Sequence, residues 1–155
     1  MSEARKKKAE EIAAEFLRRT GAAIMSNDFA VFRDCFNLPH VAETFEATNV
    51  IETEEDLRFV FSRVRGRFLE MGVTDLVRNV VAADFQSDDL IEVAYETRLM
   101  HKRHLLQDPY PSYGQIALID DAWKITDAKY ATNVPRLISA FRSRGKDDAN
   151  DIVGS

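Results

Sequence analysis

The chain has 155 residues, 45% of them apolar and 30% charged, with a formal net charge of −5 at pH 7. That length closes one core with room for a small cavity, and the composition excludes a wholly disordered chain. The acidic balance excludes a phosphate-binding surface of clustered Lys and Arg, so no nucleic-acid partner is expected.

Over residues 3–25, Ile12, Ala13, Phe16, Leu17, Ala23 and Ile24 recur at helical spacing, with Glu and Arg on the opposite face. The run Arg5-Lys6-Lys7-Lys8 reads as the solvated start of this helix, and Gly21 weakens it near its end. Ser26-Asn27-Asp28 offers a cap for a second short helix, ending near Asn37 and stopped by Pro39. Cys35 is the single cysteine, so no intramolecular disulfide forms. It falls in the apolar pattern Phe29, Phe32, Cys35, Phe36 and reads as a buried, inert thiol.

Residues 40–51 read as extended and turning, with Val41, Thr44, Phe45, Thr48, Val50 and Ile51 favouring strands. Thr53 caps a third helix, Glu54 and Glu55 sit at its positive end, and Gly72 ends it. Its buried stripe is Leu57, Val60, Phe61, Val64 and Phe68; Arg58, Arg63, Arg65 and Arg67 lie mostly off it, solvated or ion-paired.

Long strands follow over residues 75–86 and 89–103, joined by the polar turn Ser87-Asp88-Asp89. Residues 90–100 alternate cleanly: Ile91, Val93, Tyr95, Thr97 and Leu99 face the core, while Glu92, Glu96 and Arg98 face away. Residues 104–111 read as a loop marked by Pro109 and Pro111. Two further strands, 113–119 and 122–131, meet at the turn Asp120-Asp121 as a β-hairpin. The domain is expected to span 1–134, followed by a short helix from Pro135 to about Arg142 and a fraying tail. No apolar run reaches membrane length, so no membrane partner is expected and a cytoplasmic location is.

Three helices and an extended segment, then four antiparallel strands with no helix between them, give an α+β class rather than a doubly wound one. The helices cover the concave face of a curved sheet, leaving a cone with an interior pocket. The stretches DFAVFRDCFNLP and DDAWKITDAKYA, in this element order, resemble the nuclear transport factor 2-like, or polyketide-cyclase-like, superfamily over roughly residues 9–132.

The resemblance implies a ligand inside the cone and a last strand that turns Thr126, Ala128 and Tyr130 inward, with Trp123, Ile125 and Asp127 outward. Alternation alone does not choose between these two sets. Superfamily epoxide hydrolases carry an Asp–Arg–Asp arrangement where this chain has Thr97, Leu99 and Tyr130. Superfamily steroid isomerases use a first-helix Tyr, and no Tyr precedes Tyr95 here. The dehydratase-like arrangement is the least contradicted. In it Tyr95 or Tyr130 polarises a carbonyl, His40 at the pocket mouth moves a proton near neutral pH, and Val93, Thr97 and Thr126 line the ligand.

The expected function is therefore binding of a small apolar or aromatic metabolite, with cofactor-independent isomerase or dehydratase chemistry as its catalytic form. The alternative is a non-catalytic homodimeric interaction module. A homodimer is expected through the outer sheet face, where Trp123 and Ile125 would otherwise be exposed. No metal is expected: His101 and His104 have near-zinc spacing, but three apart on one strand they point to opposite faces.

Overall fold

The computed structural model describes residues 2–44 and 48–130, without the side chains of Thr44 and Tyr130. The expected C-terminal helix and tail lie outside the described residues. The elements run α1 (Glu3–Ser26), α2 (Phe29–Asp34), β1 (Phe36–Thr44), β2 (Thr48–Ile51) and α3 (Glu54–Met71). Then come β3 (Asp75–Ser87), β4 (Leu90–His101), β5 (His104–Leu105), β6 (Tyr110–Ile119) and β7 (Ala122–Tyr130). The strands form one sheet in the order β2-β1-β7-β6-β4-β3, with β5 paired to β4. All pairings are antiparallel except β1 with β7, which is parallel.

Helix ends follow their capping chemistry. Ser2 accepts from the Arg5 amide, Asp28 from Val31 and Thr53 from Asp56, each satisfying an orphan donor of the first turn. Gly72 closes α3 at φ 79°, a left-handed conformation that costs glycine little. The α2 helix stops at Asp34, earlier than expected, and Cys35 serves as its C-cap. Pro39 then lies inside β1, not in a stop before it, within a stretch where the β1–β7 register shifts. A proline without an N–H is tolerated where the ladder is already irregular. Cys35 is fully buried in the core, as its apolar setting implied.

Two of the sheet's β-bulges decide which residues face the core. In β3, Val80 pairs with Tyr95 and Ala82 with Ala94, leaving Val81 unpaired and 70% exposed. In β7, Ile125 pairs with Ile116 and Asp127 with Gln115, leaving Thr126 unpaired. An extra residue bends its strand and reverses the inside–outside phase beyond it. In β3 the inward set is therefore Leu76 and Val80 before the bulge, and Ala83 and Phe85 after it.

Two contiguous clusters fill the concave side. Ala9, Ala13 and Phe16 of α1 pack on Ala83, Phe85, Ile91, Val93 and Ile116. Ile24, Phe29, Phe32, Leu57, Phe61 and Phe68 join the helices to Ile51, Val73 and Leu99. Each fully buried aliphatic or aromatic side chain contributes about 1.5–3 kcal/mol. Arg5, expected to be solvated, instead pairs with Asp88 at 2.8 Å and lies 4.4 Å over the Phe85 ring, tying α1 to the β3–β4 turn.

The hairpin of β6 and β7 forms as expected, with Asp120 and Asp121 at φ 51° and 65°. Positive φ at both central residues is the turn whose twist matches the flanking strands, and aspartate tolerates it better than most residues. The residues after β4 depart from the expected loop. His101 pairs directly with His104 across a two-residue turn, and Pro111 belongs to β6. These histidines are opposed on neighbouring strands, not three apart on one, so they share a face. His101 Nδ1 lies 2.6 Å from the Gly72 carbonyl oxygen. Among the described residues, no group of three or more His, Cys, Asp or Glu side chains converges.

Candidate functional site

Between the helices and the sheet lies a cavity of about 150 Å³. Ala13, Phe16 and Ile24 of α1 form one wall, and Leu57, Val60 and Phe68 of α3 close it above. Val93, Tyr95 and Thr97 of β4 form the floor, and His40 and Asn49 of the β1–β2 pair stand at one end. A largely apolar space of this size admits a guest of about one aromatic ring.

The alternation of β4 holds throughout: Ile91, Val93, Tyr95, Thr97 and Leu99 are all buried. Cross-strand pairing then sets two rows of polar groups along the floor. Arg78 pairs with Thr97, and Thr97 with Tyr110. In the next row Tyr95 pairs with Ser112, and Ser112 with Tyr130. Tyr130 thus sits one strand beyond Ser112 in the row of Tyr95, while its side chain is outside the described residues.

Burial raises the Tyr95 phenol above its ordinary value of 10, against the pull of the nearby Arg78 guanidinium. Tyr110 is pushed up to about 12, again chiefly by burial, with Tyr95 adding to the effect. Both phenols are neutral hydrogen-bond donors at physiological pH.

His40 is 3% exposed and stands edge-on to the Phe36 ring, with centroids 5.0 Å apart. It is part of the cavity wall and not a residue of its mouth. Burial lowers its pKa from 6.5 to about 4, so it is a neutral imidazole at pH 7 and does not exchange a proton near neutrality as expected. Asn49 lies diagonally across from it on the same face, since Ala42 pairs with Asn49 and His40 with Ile51. Among the described residues, His40 Nδ1 and Asn49 Nδ2 have no hydrogen-bond partner.

The last strand divides at its bulge. Trp123 and Ile125 pack against the core cluster, with Trp123 edge-on to Phe85 at 5.9 Å, so they do not face outward as expected. Beyond the bulge the implied phase is correct: Ala128 is buried, and Asp127 shares the convex face with its partner Gln115. Burial raises the Asp127 pKa, and Lys129, Glu43 and Glu92 act on it from that face. Thr126 does not line the cavity; its hydroxyl turns to the Gln115 carbonyl and to Asp127 at 3.4 and 3.0 Å. The apolar side chains that argued for a dimer through the convex face are thus turned into the core.

Arg78 and Tyr110 are the site residues that the sequence reading passed over. Arg78 falls in the inward phase of Leu76 and Val80, and a cation in an apolar phase is the signal that could have found it. Its Nη2 donates to the Leu17 carbonyl and the Thr20 hydroxyl, both at 2.6 Å. Gly21 leaves room for this contact, because a Cβ there would stand 3.1 Å from Nη2. Tyr110 was hidden by its proline neighbours, which suggested a loop.

No protein-family model matches the chain. No curated protein matches it either. Solved structures do match. A nuclear transport factor 2-like protein of unknown function from Shewanella oneidensis aligns at a TM-score of 0.61 and 11% identity, over 77% of this chain and 96% of its own. A nuclear transport factor 2-like protein of unknown function from Pseudomonas putida gives 0.61 and 12%, over 82% and 88%. A protein from Novosphingobium aromaticivorans described as a candidate aromatic ring hydroxylase gives 0.60 and 10%, over 83% and 91%. The helix-covered curved sheet and these alignments together place the chain in the nuclear transport factor 2-like fold.

Proposed function

We propose that this protein binds one small, largely apolar molecule of about single-ring size inside the cone. The observation that carries the reading is the 150 Å³ cavity, into whose wall His40 and Asn49 bring buried polar nitrogens with no described partner. An unpaired buried donor or acceptor costs about 1–3 kcal/mol, which a bound polar group recovers. Apolar walls supply affinity, and a few polar groups fix orientation.

Val93, Thr97 and Tyr95 are the proposed contacts of the sheet floor, and His40 that of the far end. If the bound molecule is turned over, these groups fit cofactor-independent isomerase or dehydratase chemistry. The Tyr95 phenol polarises a carbonyl by donating its hydrogen, and the neutral His40 imidazole accepts or donates one hydrogen bond. The low pKa of His40 makes it a weak base at pH 7, so binding is the primary role and turnover the secondary one. The convex face offers Tyr113 and Val81 as exposed apolar groups among charged ones. That leaves the interaction-module alternative the weaker reading.

Titration with neutral single-ring probes such as phenol and toluene, followed by amide NMR, tests this. Saturable shifts are expected at residues 93–97 and 112–116. If neither probe moves those amides at millimolar concentration, the cavity is not a binding site.

A further inference from the structure

We infer that the cavity's ligand is a small monocarboxylate, held through its anionic end by Arg78 and the hydroxyl groups around it. The inference rests on the binding role proposed above and narrows it to a chemical class.

The Arg78 guanidinium lies on the inward side of β3 and lines the cavity. A half-buried cation on the inward side of a strand is commonly matched by an acid. Among the described residues, no carboxylate stands within ion-pairing distance of it. Its hydrogen-bond partners are neutral: the Leu17 carbonyl and Thr20 hydroxyl accept from Nη2, and the Tyr95 phenol also pairs with the guanidinium. None of these partners carries a charge that offsets the guanidinium.

The groups around this end add donors. Thr97 and Tyr110 share the row of Arg78, and Tyr95 stands beside the guanidinium in the next. Neutral phenols and a threonine hydroxyl all donate to an anion. The acidic residue that borders the cavity, Asp127, carries its carboxyl on the convex face with Gln115. One formal positive charge and several hydroxyl donors, unopposed by an inward carboxylate, match a single carboxylate bound by charge-assisted hydrogen bonds.

The remainder of the ligand is fixed by the apolar walls. Phe16, Val93 and Phe68 line a space of about 150 Å³ that suits a ring or a short branched chain. Arg78 also lines the groove between α1 and β3.

The test compares each acid with its neutral amide on the unaltered protein at neutral pH: benzoate with benzamide, and isobutyrate with isobutyramide. Affinities are read from the amide shifts of residues 93–97 and 112–116. At least one acid is expected to bind about tenfold or more tightly than its amide, as a hydrogen bond to a charged group implies. Arg78→Met should remove that preference, and Arg78→Lys should keep part of it. Should the amides bind as tightly as the acids, or neutral phenol and toluene bind while neither acid does, the carboxylate assignment is wrong and the cavity reading stands. Should no probe of any kind shift the cavity amides, both fall together.

Discussion

Replacing Ile91 with alanine is expected to lower the free energy of unfolding by about 2–5 kcal/mol. Ile91 is fully buried on the inward side of β4, paired with Phe85 of β3 and Ile116 of β6. It belongs to the cluster beneath Ala9, Ala13 and Phe16 of α1. Three strands and a helix fix its surroundings, so the space left by the lost atoms collapses only partly. Val81→Ala is the matched control. Val81 is the exposed bulge residue, and its truncation should stay within about 0.5 kcal/mol. Urea unfolding of the two variants checks this, and a loss below about 1 kcal/mol for Ile91→Ala would contradict the packing described. Ile91 lies behind the cavity wall, so guest binding per folded molecule should persist.

The second large effect is expected on acidification. The pKa of His40 falls from 6.5 to about 4 on folding because the imidazole is buried. Between those values the unfolded chain binds a proton at His40 that the folded chain refuses. Stability therefore rises with pH across this window and falls as pH is lowered through it. The difference corresponds to about 3 kcal/mol at one unit per 1.36 kcal/mol, complete once pH is below about 4. A histidine stabilised by an acidic partner would give the opposite sign. His40→Leu should remove this component, so wild type loses about 3 kcal/mol more than the variant between pH 7 and 4. The Asp34 carboxyl, held low chiefly by its hydrogen bond from Arg19 and also by Lys124, is common to both proteins and cancels in the comparison. Equal losses in the two proteins would show that His40 is accessible to water in the folded state.

Local signals were legible wherever one element decides its own conformation. Thr53 and Gly72 bracketed α3 because a cap and a left-handed stop are set by a few backbone groups. The alternation of β4 identified its buried face because that strand runs without a bulge, between neighbours on both sides. The inward phase of β7 was not legible. Whether Thr126 or Ile125 faces in depends on two residues of β7 opposing one step of β6 at Gln115 and Ile116, which is a property of the pair.

The site was half legible for the same reason. Tyr95, Thr97 and Val93 followed from one strand's period. The row that joins Thr97 to Arg78 and Tyr110 exists only once three strands are in register. His40 was singled out by residue type, yet its burial depends on Phe36, Asn49 and the helices above, so neither its place in the wall nor its low pKa could be read from the chain. The pairing of His101 with His104 was missed because Lys102, at φ 55°, turns the chain within two residues.

The most direct test of the account is a crystal of the protein soaked with bromobenzene, with the bromine located by its anomalous signal. One bromine is expected inside the cone, lined by Phe16, Val93 and Phe68, with the helices in their described positions. Bromine found only on the convex face, with the Phe16 and Phe68 rings closing the interior, would contradict it.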